Sequence, residues 1–325
     1  MHESICQTTR QNCASDALLP LVQRVFFLFL TFTMAWLPGT SLGSPLVEKS
    51  IQTTSGERGY LLFTPHKKPG KKPLVIVLHG GGGNGQNAAD MTDFQRVAMK
   101  HQFYLAFPNG SGRKRERLLT WNARHCCGYA MKQNVDDVGF IRTLIDRLIA
   151  TEQIDEKRIY VTGMSNGAML THRLGIELGD RVAAIATVVG TLFGDEVPTT
   201  MSLPVMIING ALDKAVKPEG GQPGGRAAFA WDGTPTKPSQ YQATFWAKVN
   251  QCEASPAYTE IMLKNAKTLS LQYSCPRGSE VIYHLIGDNG HAWPGGKKGS
   301  KRGDEPGKSF NASEEIWSFF ARHAR

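Results

Sequence analysis

Gly163-Met164-Ser165-Asn166-Gly167 places a serine between two glycines, a spacing that can carry nucleophilic chemistry. Before it, Arg158-Ile159-Tyr160-Val161-Thr162 is a short β-branched and aromatic run that reads as a buried strand. After it, Met169, Leu170, Leu174, Ile176 and Leu178 fall at roughly helical spacing. Strand, G-x-S-x-G, helix is the context in which a serine is held on a tight, strained turn with its hydroxyl pushed out at the end of a sheet. Glycines flank it because a Cβ there would meet the neighbouring strand and helix. Gly39-Thr40-Ser41-Leu42-Gly43 also fits the pattern, but it follows a proline and leads into no helix, so the chemistry is assigned to Ser165.

A serine hydroxyl is a poor nucleophile at neutral pH and needs an adjacent base, which in turn needs an orienter. In sites built on this turn the acid and then the histidine follow the serine along the chain. Four histidines follow: His172 on the elbow helix, His284 inside a strand pattern, His323 near the terminus, and His291. Only His291, in Gly290-His291-Ala292-Trp293-Pro294, lies in a loop beyond the carboxyl end of a strand, where α/β sites gather. Asp213 has the same placement after the apolar run Leu203 to Ile208, and Asp195, Asp232 and Asp288 suit the role less well. Ser165, Asp213 and His291 are therefore the expected catalytic set.

The tetrahedral intermediate of such chemistry needs backbone N–H groups aimed at its oxygen. Asn166, directly after the serine, supplies one. Gly81, in the run His79-Gly80-Gly81-Gly82-Gly83, supplies the second. That glycine loop lacks a G-K-[ST] ending and any G-x-G-x-x-G with a later acidic partner, which argues against a bound nucleotide. Trp121, Trp231 and Trp293 are candidates to flank an acyl or sugar group, with Trp121 and Trp293 the first choices.

The elements that must position these residues alternate. Strand patterns at 59–63, 73–78, 103–107, 158–162, 182–189, 203–208, 269–273 and 281–286 are separated by helical ones at 86–101, 138–149, 166–178, 239–252 and after Asn311. Pro73 to Leu78 is continuously apolar, as in a strand covered on both faces. The alternation predicts an α/β fold: a mainly parallel, doubly wound sheet in one domain.

Only residues 25–37 form a long apolar run, and 13 residues are short for a membrane span of ~20. Arg24 before it and Ser41-Leu42-Gly43 after it suggest a signal peptide over 1–43 and a catalytic domain over 44–325, with no stable membrane span after processing. The implied location is secreted or periplasmic. The leader holds Arg10, Arg24, Glu3 and Asp16, two charges of each sign, so the net charge of +9 survives its removal. Much of that charge is clustered in turn-like segments such as Arg113-Lys114-Arg115 and Lys297 to Arg302. With no aromatics interleaved, these read as solvated loops and not as a nucleic-acid site. Four cysteines remain in the domain, and Cys252 with Cys275 suits a local staple that leaves Cys126 and Cys127 vicinal or free. No paired C-x-x-C hooks of a zinc site occur.

Leu78-His79-Gly80-Gly81-Gly82, Trp121-Asn122 with Cys126-Cys127-Gly128, Asn134-Val135-Asp136-Asp137-Val138, Gly163 to Met169, Asn209-Gly210 with Asp213, and Gly290 to Gly295 form a set. Together they resemble the exported polyhydroxybutyrate depolymerase and feruloyl/acetylxylan esterase group of α/β-hydrolases. The resemblance runs from about residue 59 to 323. It implies the α/β-hydrolase fold, a Ser165–His291–Asp213 triad, no metal or cofactor, and an ester substrate that can be polymeric. One departure is local: Asn209-Gly210-Ala211 stands where that group usually carries His-Gly-Thr. The expected activity is serine esterase chemistry through an acyl-enzyme. A silent carbohydrate- or polymer-binding protein on the same fold, or a serine peptidase, are the rival readings.

Overall fold

The computed structural model describes residues 45–325 apart from 55, 67, 68, 115 and 265. The strands are β1 (Val47–Thr53), β2 (Gly56–Phe63), β3 (Lys72–Leu78), β4 (Tyr104–Pro108), β5 (Ile154–Met164), β6 (Ala184–Val188), β7 (Val205–Gly210), β8 (Ala257–Leu263), β9 (Ala266–Tyr273) and β10 (Val281–Ile286). They form one sheet in the order β1-β2-β4-β3-β5-β6-β7-β10-β9-β8. The six strands from β4 to β10 in that order are parallel, and the pairs at both edges are antiparallel.

The helices are α1 (Gly85–Thr92), α2 (Phe94–His101), α3 (Gly128–Lys132), α4 (Asp137–Thr151), α5 (Asn166–Glu177), α6 (Tyr241–Val249) and α7 (Ala312–Phe320). Successive side chains of a strand point to opposite faces, and β3 shows what that does here. Leu74, Ile76 and Leu78 join a core with Leu144 of α4, Leu170 and Leu174 of α5 and Trp246 of α6. Val75 and Val77 join another with Ala88 of α1, Phe94 and Val97 of α2 and Phe319 and Phe320 of α7. Each fully buried side chain of this kind contributes about 1.5–3 kcal/mol. A strand with both faces covered therefore has no polar positions, as Pro73 to Leu78 shows.

The helical pattern at 86–101 divides into α1 and α2. Asp93 between them adopts φ 54°, a left-handed conformation that an aspartate tolerates, and its carboxylate accepts from Arg96 Nε at 2.8 Å. Helix α4 starts at Asp136, whose Oδ1 accepts the Gly139 N–H. Asp137 beside it faces inward and is bonded at 2.8 Å by the buried Arg58 guanidinium, while its other oxygen accepts the Asn122 N–H. The two aspartates of Asn134 to Val138 thus do different work: one caps a helix and the other anchors the Trp121-Asn122 loop. Burial pushes the Asp137 carboxyl up, against the pull of Arg58 and the Asn122 N–H.

Cys252 at the end of α6 is bridged to Cys275 after β9, the expected staple, and Cys126 is bridged to Cys127. The leader 1–43 and the second G-x-S-x-G match at Ser41 lie outside the described residues. Among the described residues no helix is long and apolar enough to cross a membrane.

Candidate active site

Ser165 stands at the carboxyl end of β5, before α5, with φ 55° and ψ −120°. A residue with a side chain rarely adopts this backbone, and it is held because both neighbours are crowded. A Cβ on Gly163 would lie 2.6 Å from the Gly167 backbone, and one on Gly167 would lie 2.5 Å from the His79 carbonyl oxygen. The flanking glycines let β3, β5 and α5 close on one another, and the serine is turned outward.

The loop after β10 brings His291 to it. His291 Nε2 lies 2.8 Å from Ser165 Oγ, and His291 Nδ1 lies 2.7 Å from Asp213 Oδ2. Asp213 is buried, and its Oδ1 accepts the N–H groups of Ala215 and Val216 at 2.8 Å each. That fixes the carboxylate, which accepts from Nδ1–H and leaves Nε2 free to take a proton from the serine. Gly210 is needed at the end of β7 because a Cβ there would lie 2.3 Å from the Asn289 carbonyl oxygen. Asn209, at the position of the local departure, donates from Nδ2 to the Gly190 carbonyl at 3.0 Å and accepts from Gln242 Nε2. It ties β7 to α6 behind the site and leaves Asp213 in place.

Gly81 lies beside Asn166, within 3.5 Å of its Cβ once a Cβ is built on the glycine. Neither backbone N–H has an acceptor among the described residues, whereas Gly82 N–H donates to Leu119 and Gly83 N–H to Gly80. The Asn166 carboxamide is held at both ends, accepting from Trp121 N–H at 2.7 Å and donating to Trp121 O at 3.0 Å. Two orienters were not foreseen from the sequence. His79 is buried, donates from Nδ1 to Gly80 O and accepts the Gly110 N–H at Nε2, which braces the glycine loop. Burial lowers its pKa to about 4. Asp304, in the segment after the basic run, accepts the His291 backbone N–H at 2.7 Å.

The tryptophans are a correction. Trp121 and Trp293 are fully buried, with Nε1–H donated to His79 O and Ser313 Oγ respectively. Trp293 packs edge-on against Phe94, and Trp121 lies against His79 at 4.8 Å. They pack loops and offer no open face to a substrate. Trp231 is also buried, edge-on to Phe193. The rival acids are occupied elsewhere: Asp195 and Asp232 face His125, and Asp288 accepts from Lys308 N, Ser309 N and Ser309 Oγ. Groups of three or more His, Cys, Asp or Glu able to hold a metal ion do not occur among the described residues. A groove of about 630 Å³ lies at the amino ends of β6, β7 and β10, the edge of the sheet remote from Ser165.

Residues 59–217 match the family model described as Esterase PHB depolymerase. A Nocardia uniformis subsp. tsuyamanensis protein named as the esterase NocK is 27% identical over 76% of this chain and 74% of its own length. Poly(3-hydroxyalkanoate) depolymerase C of Paucimonas lemoignei is 27% identical over 42% of this chain, and the aligned part spans only 32% of that relative. Among solved structures, an acetyl xylan esterase from Aspergillus awamori superposes with a TM-score of 0.55 at 14% identity, over 85% of this chain and 99% of its own, which shows the α/β-hydrolase fold. Residues 59–217, just under half of the chain, thus carry the esterase PHB depolymerase match on an α/β-hydrolase fold, and the similarity to esterases and depolymerases identifies a carboxylic ester hydrolase.

Proposed function

We propose an exported serine esterase that works through an acyl-enzyme, with Ser165 as nucleophile, His291 as base and Asp213 as orienter. The observation that carries the reading is the hydrogen-bonded line from Asp213 through His291 to Ser165 Oγ, with contacts of 2.7 and 2.8 Å. Ser165 Oγ attacks the ester carbonyl carbon as His291 Nε2 takes its proton. The carbonyl oxygen becomes an oxyanion and is held by the Gly81 and Asn166 N–H groups, each worth about 3–4 kcal/mol of barrier. His291 then gives the proton to the departing alcohol, leaving an ester on Ser165. Water, deprotonated by the same imidazole, releases the acid and restores the serine.

The substrate reading rests on the rim. Leu118 beside Gly82, Leu212 beside Asp213 and Phe229 on the turn Gly225–Ala230 are 74%, 58% and 88% exposed. Open apolar side chains thus stand beside Gly82 and Asp213 and on the turn that precedes Trp231, and the buried indoles offer none. That favours an extended substrate with aliphatic character, a polyester of the polyhydroxyalkanoate type, ahead of feruloyl or acetyl esters on polysaccharide. Export is supported by the apolar run 25–37 and by the two cysteine pairs, which persist in an oxidising compartment. Hydrolysis of short p-nitrophenyl esters, a hydroxybutyrate oligomer, methyl ferulate and acetylated xylan by the native protein and Ser165→Ala tests the reading. Turnover retained by Ser165→Ala would overturn it, and preference for the ferulate or xylan would overturn the substrate.

A further inference from the structure

Outside the catalytic line, one histidine is held by two acids from two other loops. His125 lies on the loop between β4 and α3, and its Nε2 is 2.8 Å from Asp195 Oδ2 on the loop after β6. Its Nδ1 is 2.7 Å from Asp232 Oδ2, in the excursion between β7 and α6. A neutral imidazole has one N–H and would turn a lone pair toward one of these carboxylates. Only the imidazolium donates to both. The Thr234 hydroxyl, 3.0 Å from Nδ1, can serve a neutral ring, but Asp232 at 2.7 Å has only lone pairs to offer.

The surroundings leave that role to these groups. On the His125 loop, Arg124 is turned to Glu177 of α5, which Arg173 also engages. On the loop after β6, Glu196 accepts the Phe193 and Gly194 N–H groups, and the Phe193 ring lies 4.9 Å from the imidazole. In the excursion, Lys237 lies over the Tyr241 ring at 5.9 Å. Burial works against the charged ring, but the hydrogen bonds it donates to Asp195 and Asp232 outweigh it and raise the pKa of His125 above its ordinary value.

The cluster is mechanically joined to the reaction. The Asp232 N–H donates to His125 O, and Cys126 pairs with Trp231 as a β-bridge. Cys126 Sγ then lies 3.7 Å from Nδ2 of Asn166, the residue whose own N–H faces the oxyanion.

We propose that His125 is a positioning residue: as an imidazolium it clasps the three loops that wall the site beside Asn166, and the clasp opens when the ring loses its second proton. This rests on ester hydrolysis at Ser165, and it goes beyond that reading by making the wall proton-dependent. The clasp is closed while the ring carries both protons. As pH rises through the ionisation of His125, one carboxylate loses its donor and two negative charges face each other across a neutral ring.

The test is KM and kcat for an uncharged ester between about pH 6 and pH 10. In the native protein KM should rise roughly three- to tenfold on the alkaline side while kcat changes less, as befits one lost charge-assisted hydrogen bond near the surface. Asp195→Asn removes one of the two carboxylates and should move that rise to lower pH. His125→Gln should show a raised KM at every pH and no rise. A flat native KM overturns the clasp, and so does a rise that Asp195→Asn leaves in place. Should His125→Gln fail to fold, the other two profiles decide. If Ser165→Ala keeps turnover, the underlying reading has failed; if Ser165→Ala is dead and the native KM is flat, only the clasp has.

Discussion

Asp304 Oδ2 accepts the backbone N–H of His291 at 2.7 Å, so the loop that carries the imidazole is tied to a carboxylate 13 residues further along. A Cβ on Gly290 would lie 2.4 Å from the same carboxylate, which shows how closely the two segments meet. The segment between them is the basic run, whose Lys297 N–H donates to Met91 O and whose Lys298 pairs with Glu305. This run has a structural explanation that its charge pattern did not suggest: it wraps the end of α1 and returns an acid to His291. Asp304→Ala should lower kcat about tenfold, the scale of one hydrogen bond to a charged group. Asp304→Asn, which keeps an acceptor, should recover most of it. Equal turnover in Asp304→Ala and native protein would remove Asp304 from the account.

The backbone at Ser165 makes a prediction that separates strain from chemistry. Its φ of 55° is paid for by the elbow, and glycine adopts that conformation without a Cβ penalty. Ser165→Gly should abolish turnover and raise stability by about 1 kcal/mol, whereas Ser165→Ala should abolish turnover with little change in stability. Thermal unfolding of the two variants side by side checks this. A Ser165→Gly variant less stable than Ser165→Ala would mean that the turn holds no strain.

Asp213 is predicted to act through the imidazole alone. Asp213→Asn should cut kcat by several orders of magnitude, because an amide stabilises neither the required tautomer nor the imidazolium that forms, while KM changes much less. Asp288→Asn is the control, since that carboxylate holds Lys308 and Ser309 in place. The assignment fails if Asp213→Asn works and Asp288→Asn does not.

Much of this site was legible because its residues sit at the ends of strongly patterned elements. Continuous apolar runs marked β3 and β7, and the chemistry-bearing residues follow them directly. The strands that the pattern missed are β1 and β8, at the two ends of the sheet. Their burial explains it: β8 is exposed along nearly its whole length and β1 buries only Ile51, so neither needed an apolar face. Asp304 and the His125 cluster were illegible for a different reason. Each depends on contacts across loops, such as the 70 residues between His125 and Asp195, and no local spacing encodes those. The tryptophans misled because an indole near a functional residue in sequence can equally well be packed beneath it.

The bridge between Cys252 and Cys275 closes 23 residues of sequence separation and joins the end of α6 to the end of β9. On the loop-entropy account a closure of this size is worth about 3 kcal/mol. Cys252→Ala/Cys275→Ala should therefore lose roughly that much in urea unfolding while kcat stays near the native value, because neither residue is near Ser165. Unreduced peptide mapping that found both thiols free would remove the bridge.

Acid should destabilise the fold well before its carboxylates titrate, because of three neutral histidines, His79, His172 and His284. His172 donates from Nε2 to Gln242 Oε1 at 2.6 Å and accepts Trp246 Nε1–H at Nδ1, an arrangement that requires one proton on the ring. His79 is likewise fixed between Gly80 O and the Gly110 N–H. Burial lowers the pKa of each to about 4, and it does the same to His284 of β10, whose Nδ1 lies 2.7 Å from Ser270 Oγ. An unfolded imidazole takes its proton near pH ~6.5, so from there down to about 4 the unfolded chain binds protons that the folded chain refuses. Stability is full above ~6.5 and falls through that window, by up to about 3 kcal/mol per histidine. Three such losses together are of the order of a whole domain's stability, ~5–15 kcal/mol. Glu280 adds a second, lower step. Hydrogen bonding to His323 outweighs burial and, with Arg322, holds its carboxyl at about 2, so its contribution is present above ~4.5 and lost as pH falls toward 2. Urea midpoints at pH 7, 6, 5 and 4 should drop steeply, and His172→Gln, already weaker at pH 7, should show about two-thirds of the slope. A midpoint that holds level from pH 6.5 to 4 would mean that the buried rings accept protons as readily as the unfolded chain does.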